Sequence, residues 1–130
     1  MSKSKLIATL FGAAFLGAGL LGFIPNPIVG DGALFHTNAV HNLVHLLTGA
    51  AFFIGVFALD RAKLTLQAIG LAYVGVTILG FLTPGDMLLG IVHINTADKF
   101  LHLFLAVPIT AAGFGIREEA ADGAVEVQSA

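Results

Sequence analysis

The segment HTNAVHNLVHL, residues 36–46, decides the fold, because it returns 57 residues later as HINTADKFLHL, residues 93–103. His36 falls on His93, Asn38 on Asn95, His41 on Asp98, His45 on His102 and Leu46 on Leu103. Each copy leads from a polar loop into an apolar run. The stretch upstream of each copy repeats as well. At an offset of 58, Gly12, Ala14, Gly17, Gly22 and Phe23 fall on Gly70, Ala72, Gly75, Gly80 and Phe81. The chain therefore reads as one helical hairpin written twice, each unit being a helix, a long loop and a second helix. The drop in offset from 58 to 57 means one residue fewer in the second loop.

Charge placement identifies the solvent. Only 11% of the residues are charged and 57% are hydrophobic, whereas a soluble domain carries about 25% charged residues. Asp, Glu, Lys and Arg are missing from 6–30, 32–59, 64–85 and 100–116. Apolar runs of about 18 residues or more read as transmembrane helices. Four spans are expected, near 6–24, 38–59, 64–82 and 96–116, in one transmembrane domain covering 1–116. The acidic, small-residue stretch 117–130 is expected to be a disordered tail. Lys3 and Lys5 ahead of an apolar run suggest a signal peptide. That run has 19 residues, longer than the about 7–15 of a signal core, and its likeness to an internal helix argues for a permanent span. Pro108 is expected to kink the fourth helix, since proline removes a backbone donor. No strands are expected.

The fold class is thus all-α: four transmembrane helices as a duplicated hairpin, with a pseudo-two-fold axis along the membrane normal. Lys3, Lys5, Arg61, Lys63 and Arg117 fall at one end of such a bundle, and Lys99 alone at the other. The positive-inside rule then puts both termini in the cytoplasm and all five histidines at the outer face. The loops 25–37 and 83–94 mix turn residues with Ile28, Val29, Leu34, Phe35, Met87, Leu88 and Leu89, which suits the membrane interface. A net charge of -2 offers no basic surface for nucleic acid. The lack of cysteine excludes disulfides and thiolate metal sites.

Asn38 and Asn95 stand where spans begin and are expected to be helix N-caps. Asp98 would sit three residues into its helix, where a carboxylate suits the positive helix end. His41 and His45 are spaced i,i+4 on one helix face, as are Asp98 and His102. If the two motifs face each other, His41, His45, Asp98 and His102 make a ligand set for Zn²⁺ or another divalent metal in tetrahedral geometry. His45 and His102 can instead be axial ligands of one haem, or bind chlorophyll magnesium. Gly49 and Ala106, one turn further along, would then leave room for the flat tetrapyrrole. The same small residues equally permit close helix packing. A third reading makes the histidines polar anchors at helix ends. His36 and His93 precede the caps and read as loop histidines.

Asn38-Ala39-Val40-His41-Asn42-Leu43-Val44-His45 with Gly49, and Asn95-Thr96-Ala97-Asp98 with Leu101-His102, carry a resemblance. The chain resembles a group of small four-helix bacterial integral membrane proteins classed as a domain of unknown function. The resemblance covers nearly the whole chain except the tail. It implies a four-helix fold in a bacterial cytoplasmic or photosynthetic membrane, and it implies no activity and no site residues.

Below His45 and His102 the spans carry no ionisable side chain except Tyr73 before the far ends, which argues against a monomeric proton pump or channel. No serine–histidine–aspartate motif or phosphate loop occurs. The first functional expectation is a small accessory or scaffold subunit without catalysis of its own, contacting lipid and packing against other membrane subunits or copies of itself. The alternative is a cofactor-binding protein that holds a metal ion or tetrapyrrole at the histidine cluster.

Overall fold

A computed structural model describes residues 1–118. The expected tail lies almost wholly outside the described residues. Four helices form: α1 (Lys3–Leu21), α2 (Ala39–Phe53), α3 (Ala62–Leu82) and α4 (Thr96–Gly115). A π-helical turn, Ile54–Ala58, prolongs α2. All four spans, counting α2 with its π turn, have 19–21 residues and mean hydropathy of 1.2–1.8. At 1.5 Å rise per residue that is about 30 Å, the thickness of a bilayer core. The first span begins and ends three residues earlier than expected. Ser2 caps α1, its hydroxyl accepting from the Lys5 backbone N–H at 3.2 Å, so the basic residues form its first turn. Pro108 lies inside α4, which runs unbroken through it.

The outer surface is apolar, unlike that of a water-soluble protein, and several polar side chains join the apolar ones inside. Ser4, His41, Asn42, His45, Thr77, Asp98 and His102 are buried, while Leu10, Leu47, Phe57, Leu71 and Phe104 lie on the outside. Large exposed apolar patches of this extent are stable only against lipid or protein. The chain is a multi-pass membrane protein by this criterion. The core between the helices holds Ala8, Phe15, Phe52, Val56, Leu66, Tyr73, Ala106 and Ile109.

Helix α1 packs chiefly on α2, and α3 on α4; α2 meets α3 sparsely. Glycine sets both tight seams. A Cβ on Gly49 would stand 2.6 Å from Leu16 Cγ and 2.8 Å from its backbone nitrogen. One on Gly113 would stand 2.7 Å from the Gln67 backbone nitrogen. The repeat offset reappears in these contacts. Gly12 faces Phe52 and Phe53, and Gly70 faces Thr110, which is 57 residues beyond Phe53. Gly22 lies under Asn42, and Gly80 under Ile94 and Lys99, the latter 57 beyond Asn42.

The expectation of no strands fails in both long loops. In the first, β1 (Val29–Gly30) pairs in parallel with β2 (Phe35–His36); in the second, β3 (Met87–Leu88) pairs antiparallel with β4 (Val92–His93). Two-residue strands carry no periodicity that a sequence can display. The loops are ordered by side chains instead. Asn26 donates to the carbonyls of Leu21, Ile24 and Val29 and accepts the N–H groups of Ile28 and Val29.

The two ends of the bundle are closed by charge. At the end remote from the histidines, Lys5 and Asp60 pair at 2.6 Å, and the ammonium holds the Asp60 carboxyl below the usual carboxylate range. Lys63 donates to the Ile116 carbonyl just past the end of α4. Lys99, the cation at the histidine end, donates to the carbonyls of Thr83 and Gly85 at 3.2 and 2.9 Å. It thereby neutralises the negative C-terminus of α3. Lys99→Met should lower stability by about 0.5–1 kcal/mol. The check is the thermal midpoint in detergent, which should lose its dependence on salt at this position.

Candidate functional site

The loops deliver the first turns of α2 and α4 to the same place. Asn38 is the N-cap of α2, accepting from the His41 N–H at 3.0 Å. Asn95 is the N-cap of α4, accepting from the Asp98 N–H at 3.0 Å, and Asp98 Oδ2 accepts the Asn95 N–H at 2.9 Å. This reciprocal pair is a capping box. Each cap also reaches into the other loop. The Asn38 amide donates to the Ile91 carbonyl, and the Asn95 amide to the Leu34 carbonyl, both at 2.9 Å. Ile91 and Leu34 are themselves 57 apart. A cap residue thus ends one loop and anchors the other. Asn95→Ala should cost about 2 kcal/mol, at the upper end of the range for losing a cap. Equilibrium unfolding in detergent would show it.

These anchors bring three imidazoles together. His41, His45 and His102 are all buried. Each offers one ring nitrogen such that all three atoms lie within 4.8 Å of one another. Ring centroids are 4.4 Å apart for His41 and His45, 5.4 Å for His41 and His102, and 6.3 Å for His45 and His102. His41 Nδ1 lies 2.6 Å from the His93 carbonyl oxygen. A carbonyl can only accept, so Nδ1 carries the proton, and in the neutral ring Nε2 keeps its lone pair. That is how an outer carbonyl orients a metal-binding imidazole. Among the described residues, His45 has no hydrogen-bond partner at either ring nitrogen, and His102 has none at Nδ1. Buried polar atoms without partners are uncommon and costly.

Asp98 is as buried as the histidines but stands outside the close group of ligand atoms. One carboxylate oxygen is committed to the helix cap. It lies one turn before His102 and brings negative charge to the same region. Gly49 and Ala106 form no slot. Leu16 occupies the space over Gly49, Ala106 is part of the packed core, and the His41 ring sits close to both His45 and His102. A macrocycle between those two residues would have to displace His41. Of the two uses considered for Gly49, the structure adopts close packing.

His36 and His93 stack at the surface with centroids 3.9 Å apart. His36 Nε2 meets Asp31 at 2.9 Å, and His93 Nδ1 donates to the His36 carbonyl. They are loop histidines with partners. The His93 backbone nevertheless positions His41, a role that residue type and spacing could not announce.

Sequence reading singled out Tyr73 only for being ionisable. Its ring packs 5.0 Å from Phe15 and 5.9 Å from His102, while Phe15 packs 5.7 Å from His45. Phe15 and Tyr73 are 58 apart, so each unit backs its histidine with an aromatic ring. The Thr48 hydroxyl donates to the Val44 carbonyl at 2.8 Å. Its one proton is spent there, so the Tyr73 hydroxyl, 3.1 Å away, donates to Thr48. Beside these residues is a cavity of about 280 Å³, lined by all three histidines.

No curated protein and no solved structure compared with the chain matches it. Residues 5–115, all four helices and both loops, match the family described as a domain of unknown function, DUF4383, and the chain belongs to that family.

Proposed function

We propose that this protein is a metal-binding membrane protein whose site is the imidazole triad His41, His45 and His102. The observation that carries this reading is the set of buried ring nitrogens on His45 and His102 without partners, beside a His41 whose tautomer is fixed by the His93 carbonyl. Metal coordination satisfies such nitrogens where water and protein do not. Imidazole suits Zn²⁺, Cu²⁺, Fe²⁺ and Ni²⁺. Tetrahedral Zn²⁺ with bonds of about 2.0–2.1 Å needs ligand nitrogens about 3.4 Å apart, a modest contraction of the present group. Three neutral ligands leave the ion's charge uncompensated. The Asp98 carboxylate nearby offsets part of it, and an anionic fourth ligand can supply the rest.

The same reading places the site in the outer half of a bacterial cytoplasmic membrane, with both termini inside. Lys3, Lys5, Arg61 and Lys63 at the opposite end support that orientation. Asp31, His36, Asn38 and His93 line a surface cleft together with Phe23 and Met87, and the His93 carbonyl holds His41. The test is elemental analysis of protein purified in mild detergent, before and after dialysis against Zn²⁺. Close to one equivalent of metal per chain is expected, and metal-free protein that takes up none would refute the reading.

A second reading, an accessory subunit without catalysis, draws on Gly17 and Gly75. A Cβ on either would meet nothing within 4 Å, so both present flat, exposed helix surface to a neighbour. Chemical cross-linking in native membranes that returns the monomer alone would rule it out.

A further inference from the structure

The cavity beside the triad has an unusual shape for a metal site. Its walls are Val44 and Thr48 on α2, Ala72, Tyr73 and Val76 on α3, and Leu88, Val92 and Ile94 from the second loop. The loop residues are its roof, and Leu88 and Ile94 are themselves buried. They separate the cavity from the aqueous end of the bundle. Val44 and Ala72, by contrast, are exposed on the flank between α2 and α3, which pack sparsely. His45 lies about 9 Å along α2 from its first residue at 1.5 Å per residue. The opening is therefore lateral, at the depth of lipid chains, and its floor is the imidazole group.

The two units differ on this flank. At the repeat offset the counterparts of Val44 and Thr48 are Leu101 and Leu105, and that of Tyr73 is Phe15. Leu105 packs against the core. Thr48 and the Tyr73 hydroxyl beside it thus stand on the α2–α3 side, which is where the cavity is.

We infer that this cavity admits a lipid-soluble, ring-sized molecule bearing an oxygen donor, of the phenol class, which enters from the outer leaflet between α2 and α3 and binds at the triad. Three arguments select that chemistry. The apolar walls and lateral opening favour a ligand that partitions into lipid. The volume is nearly twice the about 150 Å³ that accommodates benzene in an apolar protein cavity, which suits a substituted ring. The polar group that this apolar cavity reaches, the triad of His41, His45 and His102 or an ion it holds, calls for one oxygen donor on an otherwise apolar ligand. The inference deepens the metal reading, since an ion held by three imidazoles that all line the cavity presents its fourth position to it.

Two measurements on the full chain in mild detergent separate the two claims. In the first, a diazirine-bearing alkylphenol is photolysed with the protein, with and without excess 4-propylphenol, and labelled residues are located by mass spectrometry. Labelling at Val44, Thr48, Ala72 or Val76 should fall at least fivefold with the competitor. It should also fall at least fivefold in Ala72→Phe and in Val76→Trp, which fill the opening without touching a histidine. In the second, Co²⁺ is loaded and its visible spectrum is followed during titration with 4-propylphenol. A saturable shift is expected in the wild type, and none in Ala72→Phe holding the same Co²⁺ content. Competed labelling in a protein that binds no Co²⁺ would uphold the lipid-side ligand and overturn the metal reading. Bound Co²⁺ with uncompeted labelling scattered over the outer helix faces would overturn this inference and leave the metal centre standing.

Discussion

His45→Leu should abolish metal binding while making the metal-free protein more stable. Loss of one of three imidazoles should weaken Zn²⁺ at least 100-fold, taking near-stoichiometric metal to less than a tenth of an equivalent after dialysis. The stability change has the opposite sign to an ordinary core substitution. In the metal-free state both His45 ring nitrogens are buried without partners, and an unsatisfied buried polar group costs about 1–3 kcal/mol. Leucine fills a similar volume beside Phe15 with no polar atom. A gain of about 1–2 kcal/mol is therefore expected in the metal-free protein. With Zn²⁺ at 100 times its dissociation constant, the wild type should gain about 2.7 kcal/mol by linkage, and the variant nothing. The two thermal melts, with and without Zn²⁺, should cross. If His45→Leu instead destabilises the metal-free protein by several kcal/mol, those nitrogens have partners in the membrane and the histidines are polar anchors.

Gly49→Ala should be strongly damaging for a single added methyl in the α1–α2 seam. The added Cβ would meet Leu16 Cγ at 2.6 Å and the Leu16 backbone nitrogen at 2.8 Å. Leucine can rotate away from the first contact, but the second is backbone, so the helices must separate. Overpacking of this kind costs about 1–3 kcal/mol. Gly49 is one turn from His45, so the separation would also loosen the triad and lower metal affinity. Gly75→Ala is the control. It adds the same methyl where nothing lies within 4 Å, and should leave metal content unchanged without destabilising the fold. Had Gly49 been the floor of a tetrapyrrole slot, alanine there would affect the bound pigment more than the melting point.

The sequence by itself determined the class of solvent, the number of helices, the caps and the likeness of the two motifs. Each of these follows from short-range regularities. Charge-free runs of fixed length specify spans, an asparagine ahead of an apolar run specifies a cap, and a repeat at offset 57 says that whatever one motif does, the other does in a similar setting. The caps Asn38 and Asn95 and the shared helix face of His41 and His45 were legible for that reason, whereas the turning of His41, His45 and His102 into the core was not. The tertiary structure decided the rest, because it depends on which atoms meet across 50 or more residues. It separated Asp98 from the close ligand group by giving its carboxylate to the Asn95 cap. It gave the space over Gly49 to Leu16 rather than to a cofactor. It turned the His93 carbonyl onto His41, and gave the loops two-residue strands too short to leave a pattern. The cavity between α2 and α3 lies where the units differ, with Thr48 and Tyr73 against Leu105 and Phe15. That difference is visible in the residues, but it means something only once the helices that carry them are neighbours.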